Sequence, residues 1–197
     1  MKIFVTYLGH RIDATRLHPL PDKVQAIKDA PAPQSVQELK SYLGMLTYYS
    51  KFLPNLSTTL YSLYHILKKN VPWMWEPEQK KAFAASKDLL TSTNFLTHFD
   101  SSQKLTLTCD ASGYGLRAVL AYKMPDGSKK PISYASRTLT QAEHNYSQLE
   151  KEDLTCIFGI KKFHDYLFGH AFELVTDHKP LLGLLKEDHA MSPQASA

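Results

Sequence analysis

Apolar positions in the first half of the chain recur with the period of an α-helix. Between residues 22 and 92 they return every three or four positions, the spacing that keeps side chains on one helical face. The clearest sets are Val36, Leu39, Leu43 and Leu46, then Leu60, Leu63 and Leu67, then Phe83, Leu89 and Leu90. Ser35 and Glu38 have the spacing of a capping box, and Pro54 ends the helix that follows. The segment predicts a small helical bundle.

The second half changes to the two-residue alternation of β-strands. In residues 104–110, Leu105, Leu107 and Cys109 share one face of a predicted strand, and polar residues share the other. Further strands are predicted over residues 115–124, 130–136 and 172–176, with a long helix over 143–168 and a short one over 179–187. Because a strand, a crossover helix and another strand pair in parallel, this order predicts a mixed sheet with helices packed against it.

These patterns together predict an α+β, mixed fold in three segments. Residues 1–21 read as a strand or hairpin arm that is broken by Pro19 and Pro21. Residues 22–92 form the helical module, and residues 103–197 form the mixed sheet with its helices. The change of period near residues 93–104 sets the boundary between the last two segments.

The composition is typical of a folded protein. Hydrophobic residues make up 43% of the 197 residues and charged residues 21%, which excludes a disordered chain. The apolar runs are far shorter than the ~20 residues that span a bilayer, and the first residues lack the apolar core of a secretory signal. Cys109 and Cys156 make neither a disulfide framework nor a Cys-x-x-Cys metal pair. We therefore expect an intracellular protein of the cytoplasm or nucleus with no membrane partner.

The positive charge is concentrated in the first third of the chain. Residues 1–70 contain nine Lys and Arg against four Asp and Glu, a net charge of +5, whereas the remainder has a net charge of −1. This asymmetry favours binding of a polyanion, and a merely solvated basic surface is the alternative. If the partner is nucleic acid, we expect weak, sequence-independent binding through Lys40, Lys51, Lys68 and Lys69.

Three carboxylates occupy positions that bring acidic groups together in such a fold. Asp110 ends the first strand of the second half, Asp177 follows the fourth, and Glu152 lies at the margin of the apolar stripe of the long helix. If those two strands are neighbours and the helix packs on them, the three carboxylates converge. Converging carboxylates repel each other unless they are protonated or bind a cation, and Mg²⁺ prefers such oxygen ligands. Each acid taken alone is more simply explained as a solvated residue.

Several short motifs along nearly all of the chain are similar to those of one known family. They are residues 7–12 (YLGHRI), 39–45 (LKSYLGM), 48–54 (YYSKFLP), 109–112 (CDAS), 131–137 (PISYASR), 145–152 (NYSQLEKE) and 175–181 (VTDHKPL). Together they resemble the reverse transcriptases of gypsy-type LTR retrotransposon polyproteins. The first motif resembles the hairpin after the polymerase palm, the next two resemble the thumb, and the last four resemble the RNase H part.

The resemblance implies both an architecture and an activity. It implies a remnant palm hairpin over residues 1–21, a thumb-like module over 22–92 and a truncated RNase H-like domain over 103–197. By the same resemblance Asp110, Glu152 and Asp177 are the catalytic, Mg²⁺-binding carboxylates of a two-ion site. The family cleaves the RNA strand of RNA–DNA hybrids, so hybrid or primer–template is the expected nucleic-acid partner.

Four departures from the family pattern matter, and the last three favour an alternative, a vestigial nucleic-acid-binding fragment without enzymatic activity. The family's polymerase needs a Tyr-x-Asp-Asp turn, and the sequence has no adjacent Asp pair. A further strand, a terminal helix and a fourth carboxylate are expected beyond residue 197. Arg117 stands where the family usually has Gly, which is expected to disturb packing. Asp153 falls inside the apolar stripe of the long helix, where an unpaired carboxylate is unfavourable.

Overall fold

The computed structural model describes residues 4–92 and 95–176. The strands are β1 (Phe4–Tyr7), β2 (His10–Asp13), β3 (Arg16–Pro19), β4 (Leu96–Thr97), β5 (Leu105–Ala111), β6 (Gly115–Lys123), β7 (Lys129–Thr138) and β8 (Phe172–Val175). The helices are α1 (Pro21–Asp29), α2 (Val36–Tyr48), α3 (Leu56–Thr59), α4 (Tyr61–His65), α5 (Pro77–Ser92), α6 (Gln141–His144), α7 (Gln148–Lys162) and α8 (His164–Leu167), with a 3₁₀ turn at Ser50–Phe52. The predicted mixed α+β class is confirmed.

The first sheet has the order β1-β2-β3-β4 and is antiparallel throughout. Leu8 and Gly9 form the tight turn between β1 and β2, and both have positive φ. The sequence pattern predicted the hairpin but missed β3 and β4. β3 ends at Pro19, the residue that suggested a break, and β4 is only two residues long. Their pairing of Leu17 with Leu96 joins distant segments, so no local pattern indicated it.

The helical module follows the predicted periodicity. Ser35 caps α2, since its Oγ accepts a hydrogen bond of 3.2 Å from the Glu38 amide. The predicted capping box is only half formed, because the Glu38 carboxylate accepts from the amide of Gln34 rather than that of Ser35. The predicted second helix is divided into α3 and α4 at Leu60. The side chains of Leu39, Leu46, Phe52, Leu60 and Leu63 are fully buried in the resulting core.

The second sheet has the order β7-β6-β5-β8. The three strands β5, β6 and β7 form an antiparallel meander, and β8 pairs with β5 in parallel. This parallel neighbour relationship between β5 and the strand before Asp177 was predicted from the order of elements, and it is confirmed. The register places Leu107 of β5 beside Leu174 of β8. Asp177 itself, like the predicted short helix over residues 179–187, lies outside the described residues.

The single long helix predicted over residues 143–168 is wrong, because the structure has three helices there. The first of them, α6, ends at His144 with Asn145 as its C-cap. Ser147 then begins α7 with a full capping box, in which its Oγ accepts from the Glu150 amide and the Glu150 carboxylate accepts from the Ser147 amide. This second capping box begins a new helix although the apolar period that suggested one long helix continues across it. The predicted packing of the helix on the sheet is confirmed, since Gly159 of α7 lies against Leu107 and Cys109 of β5.

The described residues form two large hydrophobic cores and one small cluster. One core lies under the helices and includes Ile27 and Leu96, and the other lies between α7, α8 and the second sheet. The small cluster consists of Ala111, Leu116 and Leu139. The two parts touch along β7, where the Ser57 amide donates to Ser136 Oγ at 3.1 Å. Tyr134 of β7 also packs against the first core. The predicted boundaries at residues 1–21, 22–92 and 103–197 stay a prediction.

Candidate functional site

Asp110 lies near the end of β5, on the face of the sheet that does not carry α7. The side chains of Leu107 and Cys109 contact Gly159 of α7, so the alternation of the strand turns the Asp110 side chain to the other face. Thr106 and Thr108 share that face with Asp110. Asp110 is half-buried and 40% of its side chain is accessible, which leaves the carboxylate open to solvent or to a bound group.

Arg117 of β6 stands directly opposite Asp110 in the sheet register. Its Nη2 donates a hydrogen bond to Asp110 Oδ2, and the two side chains form an ion pair. Residues opposite each other in an antiparallel pair have Cβ atoms about 4.5–5.5 Å apart, so the pairing follows from the register. The sequence suggested that an arginine at this position would disturb packing. In the structure, Arg117 instead contacts Asp110, the candidate catalytic acid.

Glu152 lies on α7 and is almost fully buried, with 2% of its surface exposed. Gln148, one turn earlier, donates from Nε2 to Glu152 Oε1 at 2.7 Å. The pKa of the Cys109 thiol is raised by the hydrogen bond that it donates to Cys156, by burial, and by the negative charges of Cys156 and Glu152. Glu152 therefore lies close to Cys109, the residue before Asp110. The sequence placed Glu152 at the margin of the apolar stripe of its helix, and in the structure its carboxylate is turned into the interior.

The positions of Asp110 and Glu152 bear on the expected magnesium centre. In the described part of the chain, no three His, Cys, Asp or Glu side chains form a group that could hold a metal ion. Of the three expected ligands, Asp177 is outside the described residues, Asp110 is paired with a guanidinium, and Glu152 is buried. Because Mg²⁺ needs carboxylate oxygens that are free to coordinate it, the ion pair with Arg117 opposes a magnesium ion at Asp110, and the three-carboxylate centre stays a prediction.

Asp153, the last of the four departures from the family pattern, has an unsatisfied carboxylate oxygen in the structure. It is half-buried on α7, and its Oδ1 is buried without a hydrogen-bond partner among the described residues. An acceptor that loses water and gains no donor is destabilising by about 1–3 kcal/mol. The position is therefore a local weakness of α7, next in sequence to Glu152.

The four candidate nucleic-acid-binding lysines are not equivalent. Lys40 of α2 and Lys68 and Lys69 after α4 are exposed and available to a partner. Lys51 is half-buried, with its Nζ 5.4 Å from the centre of the Phe52 ring, and burial lowers its pKa. It lines a cleft of about 700 Å³ between the helical module and β7.

Sequence reasoning missed the partners of the candidate site. Arg117 was noticed in the sequence because the family usually has Gly at this position. Its ion pair with Asp110 was not predicted, because it depends on the β5–β6 register. Gln148 is four residues before Glu152, a spacing that places two side chains together on a helix and that gave a usable signal. A second ion pair, between Arg137 of β7 and Glu143 of α6, stabilises the connection between the sheet and α6.

Comparisons with known proteins place the chain among retroelement polyproteins. It is 33% identical over 186 residues to the Transposon Tf2-3 and Tf2-4 polyproteins of Schizosaccharomyces pombe, an alignment that covers 93% of this chain. The chain spans only 14% of the length of these relatives. None of the helices in residues 4–92 and 95–176 is long and apolar enough to cross a membrane.

Solved structures show the same fold. A foamy viral protease-reverse transcriptase in complex with RNA/DNA hybrid matches with a TM-score of 0.73 and 25% identity, over 96% of this chain and 26% of that one. The foamy viral protease-reverse transcriptase in complex with dsDNA matches with a TM-score of 0.77 and 24% identity, over 93% of this chain and 38% of that one.

Residues 75–174, about half of the chain, match the family described as the RNase H-like domain found in reverse transcriptase. The match includes β5, β6, β7 and α7, the elements that position Asp110 and Glu152. The resemblance seen in the sequence motifs to a retrotransposon reverse transcriptase is confirmed. The chain belongs to the family of RNase H-like domains found in reverse transcriptases.

Proposed function

We propose that this chain binds nucleic-acid duplex, and RNA–DNA hybrid in particular, as part of a retroelement reverse transcriptase. The observation that carries the proposal is the likeness to the foamy viral enzyme in complex with RNA/DNA hybrid, which extends over 96% of the chain. That likeness includes both the helical module and the second sheet. The net charge of +5 on residues 1–70 supports the same conclusion, because phosphate contacts dominate such affinity.

The proposal is limited to binding. Primer extension is not included, since the sequence contains no adjacent Asp pair and so no Tyr-x-Asp-Asp turn. A chain that binds such hybrids would work inside the cell, in the cytoplasm or the nucleus.

A salt titration of the 197-residue chain tests the binding proposal. Affinity for a labelled RNA–DNA hybrid should fall steeply with salt, and replacing Lys68 and Lys69 by Ala should lower the slope of log K against log salt by about 2. The matched control replaces Lys80 and Lys81, two exposed lysines of α5, and should leave the slope unchanged. Binding that does not respond to salt, or equal effects of the two double variants, would contradict the proposal.

A second candidate function is Mg²⁺-dependent cleavage of the RNA strand through Asp110, Glu152 and Asp177. Three features support it: α7 packs on β5, Glu152 is buried beside Cys109, and the strand before Asp177 runs parallel to β5. Bound ions would supply stabilisation of the attacking and leaving oxygens. The Arg117–Asp110 ion pair argues against it and favours the alternative of a domain that binds hybrid without cleaving it.

A cleavage assay decides between these two outcomes. Hybrid with a labelled RNA strand is incubated with the chain in Mg²⁺ or in chelator, beside Asp110→Asn and Glu152→Gln variants. We expect very slow cleavage, or none, from the unmodified chain. Robust Mg²⁺-dependent cleavage that both variants abolish would establish the nuclease and reject the vestigial alternative.

A further inference from the structure

The Arg117–Asp110 contact places a positive charge where a metal-dependent site would need a free carboxylate. The pair is set by the backbone, because Asp110 and Arg117 are opposite each other in the β5–β6 register. Six residues lie between them in the chain, and the intervening turn is held by hydrogen bonds that Ser112 Oγ accepts from the Tyr114 and Gly115 amides. The guanidinium is therefore delivered to the carboxylate by rigid elements of the sheet.

We propose that Arg117 is an internal counter-cation of the candidate site, which neutralises Asp110 and competes with divalent metal ions for its carboxylate. The inference rests on the second candidate function and deepens it, because it concerns the affinity of that same site for a divalent metal ion. It identifies Arg117 as a residue that sets metal affinity through Asp110, and it does not require the chain to cleave any substrate.

Burial makes the competition effective. Only 26% of the Arg117 side chain is exposed, so solvent weakens the ion pair less than it weakens a fully exposed one. The Nε atom of Arg117 is buried and has no hydrogen-bond partner among the described residues, so the stem lies against the protein up to the guanidinium.

A divalent ion faces two obstacles at such a site. It must displace the Nη2 donor from Asp110 Oδ2, because a carboxylate oxygen that accepts this bond is not free to coordinate. If the guanidinium stays nearby, its like charge then opposes the bound ion. Both obstacles disappear when the positive charge at position 117 is removed and Asp110 is kept.

Metal binding measured without substrate tests this proposal. Free Mn²⁺, followed by electron paramagnetic resonance, is titrated into the 197-residue chain and into Arg117→Met, which keeps the stem and removes the charge. We expect Arg117→Met to bind Mn²⁺ more tightly by about 10–100-fold, the range over which changes beside metal ligands alter affinity. In Arg117→Met combined with Asp110→Asn, the gain should disappear.

Arg137→Met is the matched control, because Arg137 also pairs with a carboxylate but on α6. It should leave Mn²⁺ affinity unchanged. Equal affinity of the unmodified chain and Arg117→Met would overturn the proposal, and so would a gain that survives Asp110→Asn. If Arg117→Met does not fold, Arg117→Lys keeps a weaker, more mobile cation at the position and should still bind Mn²⁺ more tightly than the unmodified chain. An unchanged affinity in that variant would then reject the inference.

The readout separates this inference from the proposed cleavage. Tight Mn²⁺ binding by Arg117→Met without hybrid cleavage would support the internal cation and reject the nuclease. Cleavage by the unmodified chain together with unchanged metal affinity in Arg117→Met would support the nuclease and reject the internal cation.

Discussion

Gly159 of α7 lies directly against Cys109 of β5, so closely that a Cβ atom at Gly159 would stand 3.0 Å from the Cys109 Sγ. The same atom would be 3.1 Å from the Ala118 Cβ and 3.4 Å from the Leu107 Cδ1. These separations are shorter than ordinary contacts between carbon or sulfur atoms. The helix carrying Glu152 therefore approaches the strand of Asp110 as closely as it does because residue 159 has no side chain.

We predict that Gly159→Ala lowers the free energy of unfolding. An added methyl group in a helix interior is worth up to about 1 kcal/mol, but overpacking a core costs about 1–3 kcal/mol, so the net loss should be about 1 kcal/mol. Gly44→Ala is the control, because Gly44 is in the middle of α2 with no atom within 4 Å of the added Cβ. It should be stabilising. Urea denaturation measures both, and equal stabilisation by the two changes would contradict the close contact.

The elements with strong local signals were predictable from the sequence. The alternation of residues 105–109 predicted β5, and the apolar period after Ser35 predicted α2. β3 and β4 were missed, because a two-residue strand that pairs Leu96 with Leu17 leaves no local pattern. The break at Ser147 was missed because the apolar period continues across it.

The acidic residues of the candidate site were predictable from the sequence, but the ion pair that Asp110 forms was not. Strand-end and helix-margin positions pointed to Asp110 and Glu152. The Arg117–Asp110 ion pair depends on which residues of β5 and β6 face each other, and that register is fixed by the conformation of the turn between them. Spacing alone does not specify it, so the charge that opposes a metal ion became visible only in three dimensions.

The Arg137–Glu143 ion pair should make stability depend on pH in the acid range. Arg137 donates from Nη1 and Nη2 to the two Glu143 oxygens at 2.7 and 2.9 Å, and these bonds, with those from Thr140, lower the Glu143 pKa from 4.5 to about 2. A carboxylate whose folded pKa is depressed stabilises the fold above its unfolded pKa. We predict that this contribution is present at neutral pH and is lost as the pH falls from about 5 to about 2.

Glu143→Gln isolates that contribution. It should lower the free energy of unfolding at neutral pH by about 2 kcal/mol, the worth of hydrogen bonds to charged groups, and the difference from the unmodified chain should shrink in acid. Glu173→Gln is the control, because Glu173 pairs with Lys123 with both side chains half exposed. It should leave stability unchanged. A Glu143→Gln effect that is constant from neutral to acid pH would argue against the pair.

Asp153 should be replaceable with a gain in stability. Its Oδ1 is buried without a partner among the described residues, so Asp153→Leu removes an unsatisfied acceptor and adds apolar surface to α7. We predict that the free energy of unfolding rises by about 1 kcal/mol. Asp165→Leu is the matched control, since the Asp165 side chain is fully exposed, and it should leave the melting temperature unchanged. A loss of stability in Asp153→Leu would show that Asp153 has a favourable role.

The two cysteine thiols should be inert in the folded protein. Cys109 and Cys156 are buried and free, with 1% and 6% of their surfaces exposed. The hydrogen bond that Cys109 donates to Cys156, together with burial, raises the Cys109 pKa, so its reactive thiolate is scarce at neutral pH. The same bond lowers the Cys156 pKa, so Cys156 is protected by its burial. We predict that Ellman's reagent labels neither thiol before unfolding and both in guanidinium chloride.

An introduced surface thiol calibrates that experiment. Ser101→Cys places a third thiol in an exposed turn, and it should react at once in the native protein while the other two stay protected. Because labelling of Cys109 and Cys156 then requires the α7–β5 contact to open, its rate reports how often that contact opens. Destabilising this contact with Gly159→Ala should therefore accelerate labelling of both native thiols. Rapid labelling of Cys109 in the unmodified chain would contradict the tight packing of α7 on β5 that positions Glu152.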